Sequence, residues 1–348
     1  MQRVGQLLYE KKLSLYLVIN PPDGFLKTNV KIEGGWLPYN SSVVYLGVIV
    51  SDKGLLSTDV ILQAQSKYKT VSVKFANFVT NNMFAPVTVK LKVLRTCVNS
   101  ALLYSCETWG SSSLVKLETI HRNAIRIALS LKRHTPNVVL YTESGMKSLK
   151  GAVYKRQYKF WSKILKDIED NPHSPISEIY KQAIKYKLPY VKHYMNLHNE
   201  FNDADECMSH YENTEKLSRE QNIREKANTD PGGILGTYSS INSTLVSPMF
   251  YHSYLCSEYE RKILTKYRTG GHRLRIQTGR FGGVSRDQRM CRCDDDIQSL
   301  HHVLFTCTLT ESVRMTNFNV RNLEEFFVDT SNAAEKLNTM EAILGLRW

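Results

Sequence analysis

Residues 58–78, TDVILQAQSKYKTVSVKFANF, place Val60, Ala64, Tyr68, Val71, Phe75 and Phe78 three or four positions apart. Side chains at that spacing share one face of a helix. The stretch therefore predicts a helix with one apolar stripe on an otherwise polar surface. The same spacing returns downstream. Val87, Leu91, Leu94, Val98 and Ala101 form a second stripe, with Pro86 suited to a first helical residue. Leu114, Leu117, Ile120, Ala124, Ala128 and Leu131 form a third. Thr135 and Pro136 read as the N-cap and first residue of a short helix that Gly145 ends. Leu149, Val153, Phe160, Ile164 and Ile168 mark a longer one. The expectation is a helical bundle over 56–170, in a chain that is mainly α with a small β element.

That β element lies upstream. SLYLVIN (14–20) and SVVYLGVIV (42–50) are rich in β-branched and aromatic residues, and each reads as a strand. Asp52-Lys53-Gly54 after the second gives a hairpin signal. Downstream, Asn171-Pro-His-Ser-Pro175 breaks the helical pattern, and one more helix is expected near Ile176–Tyr186. Residues 200–230 then hold nine acidic and four basic side chains, and TDPGGILGTYSS follows. This polar stretch reads as a loosely ordered connection spanning 171–255. A helix near 248–267 opens a C-terminal region over 256–348.

The formal net charge of +13 in 348 residues points to a polyanionic partner, nucleic acid before an anionic membrane. The cations are clustered. Residues 121–192 hold fifteen Lys and Arg against five acids, and residues 256–293 hold ten against three. Arg122 and Arg126 lie one helical turn apart, off the apolar stripe, with Lys132 and Arg133 just beyond. Lys155, Arg156 and Lys159 interleave with Tyr154 and Tyr158. Basic residues among aromatics suit phosphate contact plus base stacking. No membrane role is expected: Leu13–Ile19 is apolar but far too short to span a bilayer. Nothing reads as a secretory signal, and four of the seven cysteines are scattered, so a reducing, intracellular setting (nucleus or cytoplasm) is expected rather than a disulfide framework.

The other three cysteines lie in CRCDDDIQSLHHVLFTC (291–307). Cys291, Cys293, His302 and Cys307 supply four donors of the kind tetrahedral zinc takes, spaced C-x-C, eight residues, then H-x4-C. His301 competes with His302 as the third ligand. Ile297, Leu300 and Leu304 suggest a short helix, with Asp296 as its N-cap. Asp294, Asp295 and Asp296 do not read as a two-metal catalytic cluster, because consecutive residues in a turn point in different directions. No Walker loop, HExxH helix or nucleophile elbow is present.

Four stretches, in order, resemble the C-terminal portion of non-LTR (LINE-type) retrotransposon reverse transcriptases. YLGVIVSDKG (45–54) resembles the hairpin that follows the palm, the primer-grip region. LLYSCETW (102–109) is similar to an LLYG-x-E-x-W element, and RNAIRIALSLKRHTPNVVLYTESGMKSL (122–149) to the stretch after it. RLRIQTGRFGGVSRDQRMCRC with HHVLFTC (273–307) resembles the zinc-knuckle segment. The resemblance implies a palm remnant with primer-grip hairpin at 1–55, a thumb-like bundle at 56–170 and a zinc-knuckle region at 256–348. It implies contact with RNA or an RNA–DNA hybrid by Tyr45, Leu46 and Gly47, by the basic helices, and by Arg273, Arg275, Arg280 and Arg286. The family's aromatic-Ala-Asp-Asp strand is missing upstream of Tyr45, and its cysteine pair more often has two intervening residues than one.

The leading expectation is thus a truncated, non-catalytic reverse-transcriptase-like protein that binds nucleic acid and zinc, with the absent palm and fingers as a further partner. A second is a zinc-containing nucleic-acid-binding module with a cellular role. A third, an enzyme of another class, would rest on Glu107 and His134.

Overall fold

The computed structural model describes residues 26–32, 35–45, 48–52, 58–185, 189–248, 257–317, 320, 322–328 and 333–345. Two antiparallel hairpins open it: β1 (Val30–Ile32) with β2 (Gly35–Leu37), and β3 (Ser42–Tyr45) with β4 (Val48–Ser51). Register pairs Tyr45 with Val48, so the chain reverses inside the run read as one strand; the hairpin signal at Asp52-Lys53-Gly54 falls on Lys53 and Gly54, which lie outside the described residues. Asp52 extends the ladder, its N–H on the Ser41 carbonyl at 2.8 Å, and its buried carboxylate accepts from Lys27 (2.7 Å) and Tyr39 (2.8 Å). The strand expected at 14–20 lies outside the described residues.

The remaining described elements are helical. In α1 (Thr58–Asn81) Tyr68, Phe75 and Val79 are buried, in keeping with the opening stripe. Pro86 precedes α2 (Val87–Val93) as its N-cap, one residue earlier than expected. A π-turn at Leu94–Val98 leads into α3 (Asn99–Leu102). The long α4 spans Cys106–Leu129 and starts well before the third stripe suggests. Pro136 caps α5 (Asn137–Ser144), and Gly145 ends it at φ +62°, where a side chain would strain the backbone. Ser148 caps α6 (Leu149–Asp170), accepting from the Lys150 N–H at 3.2 Å.

The expected loose connection is ordered helix instead. It contains α7 (Pro175–Lys185), α8 (Pro189–Glu200), α9 (Ala204–Thr229) and α10 (Ile234–Ile241). The 26-residue α9 has little apolar periodicity, but its Glu, Lys, Arg and Gln are good helix formers. Asp203 caps it, accepting from the N–H groups of Asp205 (2.7 Å) and Glu206 (2.8 Å). Cys207 and Ile223 anchor it fully buried. Its acids meet the lysines of and before α6: Glu212 pairs with Lys147 at 2.6 Å, Glu215 with Lys150 at 3.0 Å, and Asp205 with Lys155. Gly151 makes this crossing possible, because a Cβ there would stand 2.9 Å from the Met208 carbonyl.

The C-terminal region adds α11 (Glu258–Arg268), α12 (Arg275–Phe281), α13 (Glu311–Asn317), α14 (Leu323–Val328) and α15 (Ala333–Gly345). A capping box of Ser257 and Glu260 opens α11; of the helix expected near 248–267, residues 249–256 lie outside the described residues. This region shares one apolar core with the bundle: Leu264, Leu274, Ile276, Val303, Leu304, Phe326 and Met340 join Phe75, Leu94, Leu117 and Ile125. Two buried ion pairs cross the same seam. Lys90 meets Glu258 at 2.7 Å, and Arg268 meets Glu143 at 2.9 Å, with Tyr238 also donating to Glu143. No helix among the described residues is long and apolar enough to cross a membrane.

Candidate metal centre and basic face

The cysteine segment folds as a small hairpin followed by one wide helical turn. Met290 and Ile297 form an antiparallel bridge, and the Cys291 N–H donates to the Asp296 carbonyl at 2.8 Å. The loop between them carries Cys291 and Cys293. Asp294 turns it at φ +60°, a left-handed conformation that Asp tolerates better than most residues. Ile297 therefore lies in the hairpin, not in a helix. Helical structure starts at Leu300, and Ser299 rather than Asp296 caps it, its Oγ accepting from the His302 N–H at 3.1 Å. A π-turn then covers His302–Thr306, and the Cys307 N–H bonds back to the His302 carbonyl at 2.8 Å. That i to i+5 closure returns Cys307 toward His302 across the H-x4-C interval.

Four donor atoms converge as a result. Those of Cys291, Cys293, His302 and Cys307 all lie within 4.8 Å of one another, a set able to hold a metal ion. Cys291 Sγ is 3.8 Å from Cys307 Sγ, and Cys293 Sγ is 3.1 Å from His302 Nε2. His302 Nδ1 meets Thr306 Oγ1 at 2.9 Å, which aims the opposite nitrogen into the cluster. His302 is buried, whereas His301 is exposed and packs on Phe305, outside the cluster. Burial pushes the Cys291 thiol up to about 12 and pulls the His302 imidazole below its ordinary value. Thr306 carries no signal in the sequence beyond its place four residues after His302.

The three aspartates serve the loop. Asp295 accepts from Thr308 at 3.0 Å, and Asp296 from the Ile297 N–H at 2.6 Å. The hairpin also fixes α12. Gln298 is buried; its side chain accepts from the Arg275 N–H at 2.9 Å and its carbonyl from the Ile276 N–H at 3.2 Å. Arg275 Nη1 reaches the Met290 carbonyl and Arg289 Nη1 the Ile276 carbonyl, both at 2.9 Å.

The basic residues singled out in sequence have unequal surroundings. In α4, Arg122 bonds Thr119 at 3.2 Å, while half-buried Arg126 staples the start of α5 through the Thr135 carbonyl and Asn137. In α6 the basic–aromatic interleaving is an internal seam: Lys155 pairs with Asp205, Tyr154 stacks on Tyr211 at 4.2 Å, and buried Tyr158 donates to the Asn202 carbonyl. Its tyrosines are thus taken up by packing and do not offer the expected stacking surface. Arg156 donates to the Leu103 carbonyl at 2.7 Å, and Lys159 is exposed. Arg286 meets Asp230 at 3.4 Å. Tyr45 lies in β3, and Leu46 and Gly47 lie outside the described residues.

Lys132 reaches the α11–α12 turn from a distant part of the chain: its Cγ and that of Lys266 stand 3.5 and 3.3 Å from where a Gly271 Cβ would be. Exposed Lys132, Arg133 and His134 follow α4, beside the α11–α12 turn. The charges of Lys132 and Arg273 both lower the Lys266 ammonium, after burial, and those of Arg280 and Lys132 act likewise on His134. The His134 ring meets Phe281 edge-on at 4.9 Å, and the Arg280 guanidinium stands 5.1 Å from the Phe281 ring centre. Lys266 and Phe281 escape a sequence reading because only the tertiary fold brings them to Lys132 and His134. Glu107, in the first turn of α4, contributes its backbone carbonyl to Tyr194.

No family model, curated protein or solved structure matches the chain.

Proposed function

We propose that this chain is a zinc-containing nucleic-acid-binding protein of the LINE reverse-transcriptase kind, without polymerase activity, acting on RNA or RNA–DNA. The observation that carries the proposal is the fastening of α12, with its arginines, onto the Cys291–Cys307 hairpin. Three thiolates and one imidazole are a common structural zinc set. On a tetrahedral zinc with bonds of about 2.3 Å, two sulfurs stand about 3.8 Å apart, which is the Cys291–Cys307 separation. A sulfur and a nitrogen would stand about 3.5 Å apart, so zinc would open the 3.1 Å Cys293–His302 contact slightly. Zinc would supply structural cross-linking here, and its binding releases thiol protons. His302 then keeps its proton on Nδ1, facing Thr306.

The chain's residues would do the rest. The hairpin holds Arg275 through the Gln298 side chain, Arg289 ties back to the Ile276 carbonyl of α12, and α12 carries Arg280 against the Phe281 ring that His134 edges. A face of this kind binds phosphates without reading sequence. No aromatic-Ala-Asp-Asp sequence occurs in the chain, and Asp294–Asp296 are committed to the knuckle loop.

Titrating the full chain with labelled RNA and RNA–DNA hybrid tests the reading. Affinity should fall steeply between about 50 and 200 mM salt, and chelation should weaken it. Primer extension on an RNA template with Mg²⁺ should give no product. Genuine extension, or salt-insensitive binding, would contradict the proposal.

A further inference from the structure

The sequence places Lys132-Arg133-His134 and Lys266 through Phe281 more than 130 positions apart, and the fold joins them into one surface. Its centre is Phe281, the last residue of α12. While Ile276 and Gln277 of that helix are buried, Phe281 is 59% exposed. A lone exposed phenylalanine is ordinary. This one is edged by His134 and faced by the Arg280 guanidinium, while the stems of Lys132 and Lys266 flank Gly271 in the α11–α12 turn and Arg273 follows two residues on.

We propose that the Phe281–His134 platform and its ring of cations bind single-stranded nucleic acid, one base stacking on Phe281 while the phosphates follow Lys132, Lys266, Arg273 and Arg280. The proposal rests on the nucleic-acid reading above and names its site and strand type. Stacking on an exposed aromatic needs a base free of its duplex neighbours, whereas cations alone bind single and double strands alike. Of the α6 tyrosines, Tyr158 is buried and half-buried Tyr154 stacks on Tyr211 of α9, so neither offers an open ring face.

The test uses the full chain with metal, and fluorescence anisotropy on three labelled probes of equal length: single-stranded RNA, single-stranded DNA and an RNA–DNA duplex. Phe281→Ala should weaken single-strand binding roughly 5- to 100-fold and leave duplex affinity unchanged; Phe281→Tyr should keep most of it. Lys132→Glu and Arg273→Glu should weaken all three probes, and each should lower the salt slope by about one. A Phe281 loss confined to RNA or to DNA would assign that polymer as the occupant. Wild-type affinity for single strands in Phe281→Ala, or an equal loss on duplex, would overturn this proposal and leave the broader reading standing. Failure of the unaltered chain to bind any probe at low salt would overturn both. Phe281 is exposed, so the variants should retain the wild-type circular dichroism spectrum, which confirms that affinity changes are local.

Discussion

Glu118 shows how one carboxylate joins three elements. From α4 it accepts from Ser148 Oγ at 2.7 Å, from the Leu149 N–H at 2.6 Å and from the Tyr141 hydroxyl. It thus satisfies a free donor at the start of α6 and a buried phenol in α5. Glu118→Ala strands both, and chemical denaturation should show a loss of about 2–4 kcal/mol, with Glu118→Gln losing less. Lys155→Ala should leave the denaturation midpoint nearly unchanged, because its partner Asp205 is 72% exposed. Some single residues were legible in sequence. Gly145 ended a helix where a glycine was needed, and Cys291, Cys293 and Cys307 stood at metal-ligand spacing. Glu118 was not, because its partners lie 23 to 31 residues away.

Among elements, the apolar stripes of α1, α4 and α6 were readable because each buries one face against a large core. The α9 helix was not, because so few of its side chains are buried; it is held by capping, ion pairs and a close crossing at Gly151. Replacing Gly151 by Val should force α6 from α9 and lower stability by about 1–3 kcal/mol in a denaturant titration, despite the better helix former. An unchanged midpoint would mean that the two helices do not meet there. The β3–β4 reversal was missed for a different reason: SVVYLGVIV is so rich in β-branched residues that it reads as one strand, whereas the register folds it back on itself. The knuckle's donor set was legible from spacing; the choice between His301 and His302 was not, because it depends on which face of the π-turn meets the core.

At the scale of the molecule, the C-terminal region and the bundle share one core, so metal loss should be felt throughout. Chelation should lower the thermal midpoint of a single transition rather than melt a separate domain. Acid should act similarly. Burial holds His121 and His272 at about 4, below the ordinary 6.5, so the unfolded chain binds more protons between those values. The stability they contribute is therefore full above pH 6.5 and is lost as pH falls toward 4, on the order of 3 kcal/mol for each imidazole. Thermal melts from pH 7 to 4.5 should show the decline, and His121→Phe should flatten it. None of this long-range coupling is visible in local patterns: Lys90 and Glu258 are 168 residues apart, and Arg268 and Glu143 are 125. The central claim is that Cys291, Cys293, His302 and Cys307 hold one zinc that fastens the basic face. Elemental analysis of the purified chain and two variants tests it most directly. The account predicts one zinc per chain for the unaltered protein and for His301→Ala, and loss of it in His302→Ala; a full zinc equivalent retained by His302→Ala would contradict it.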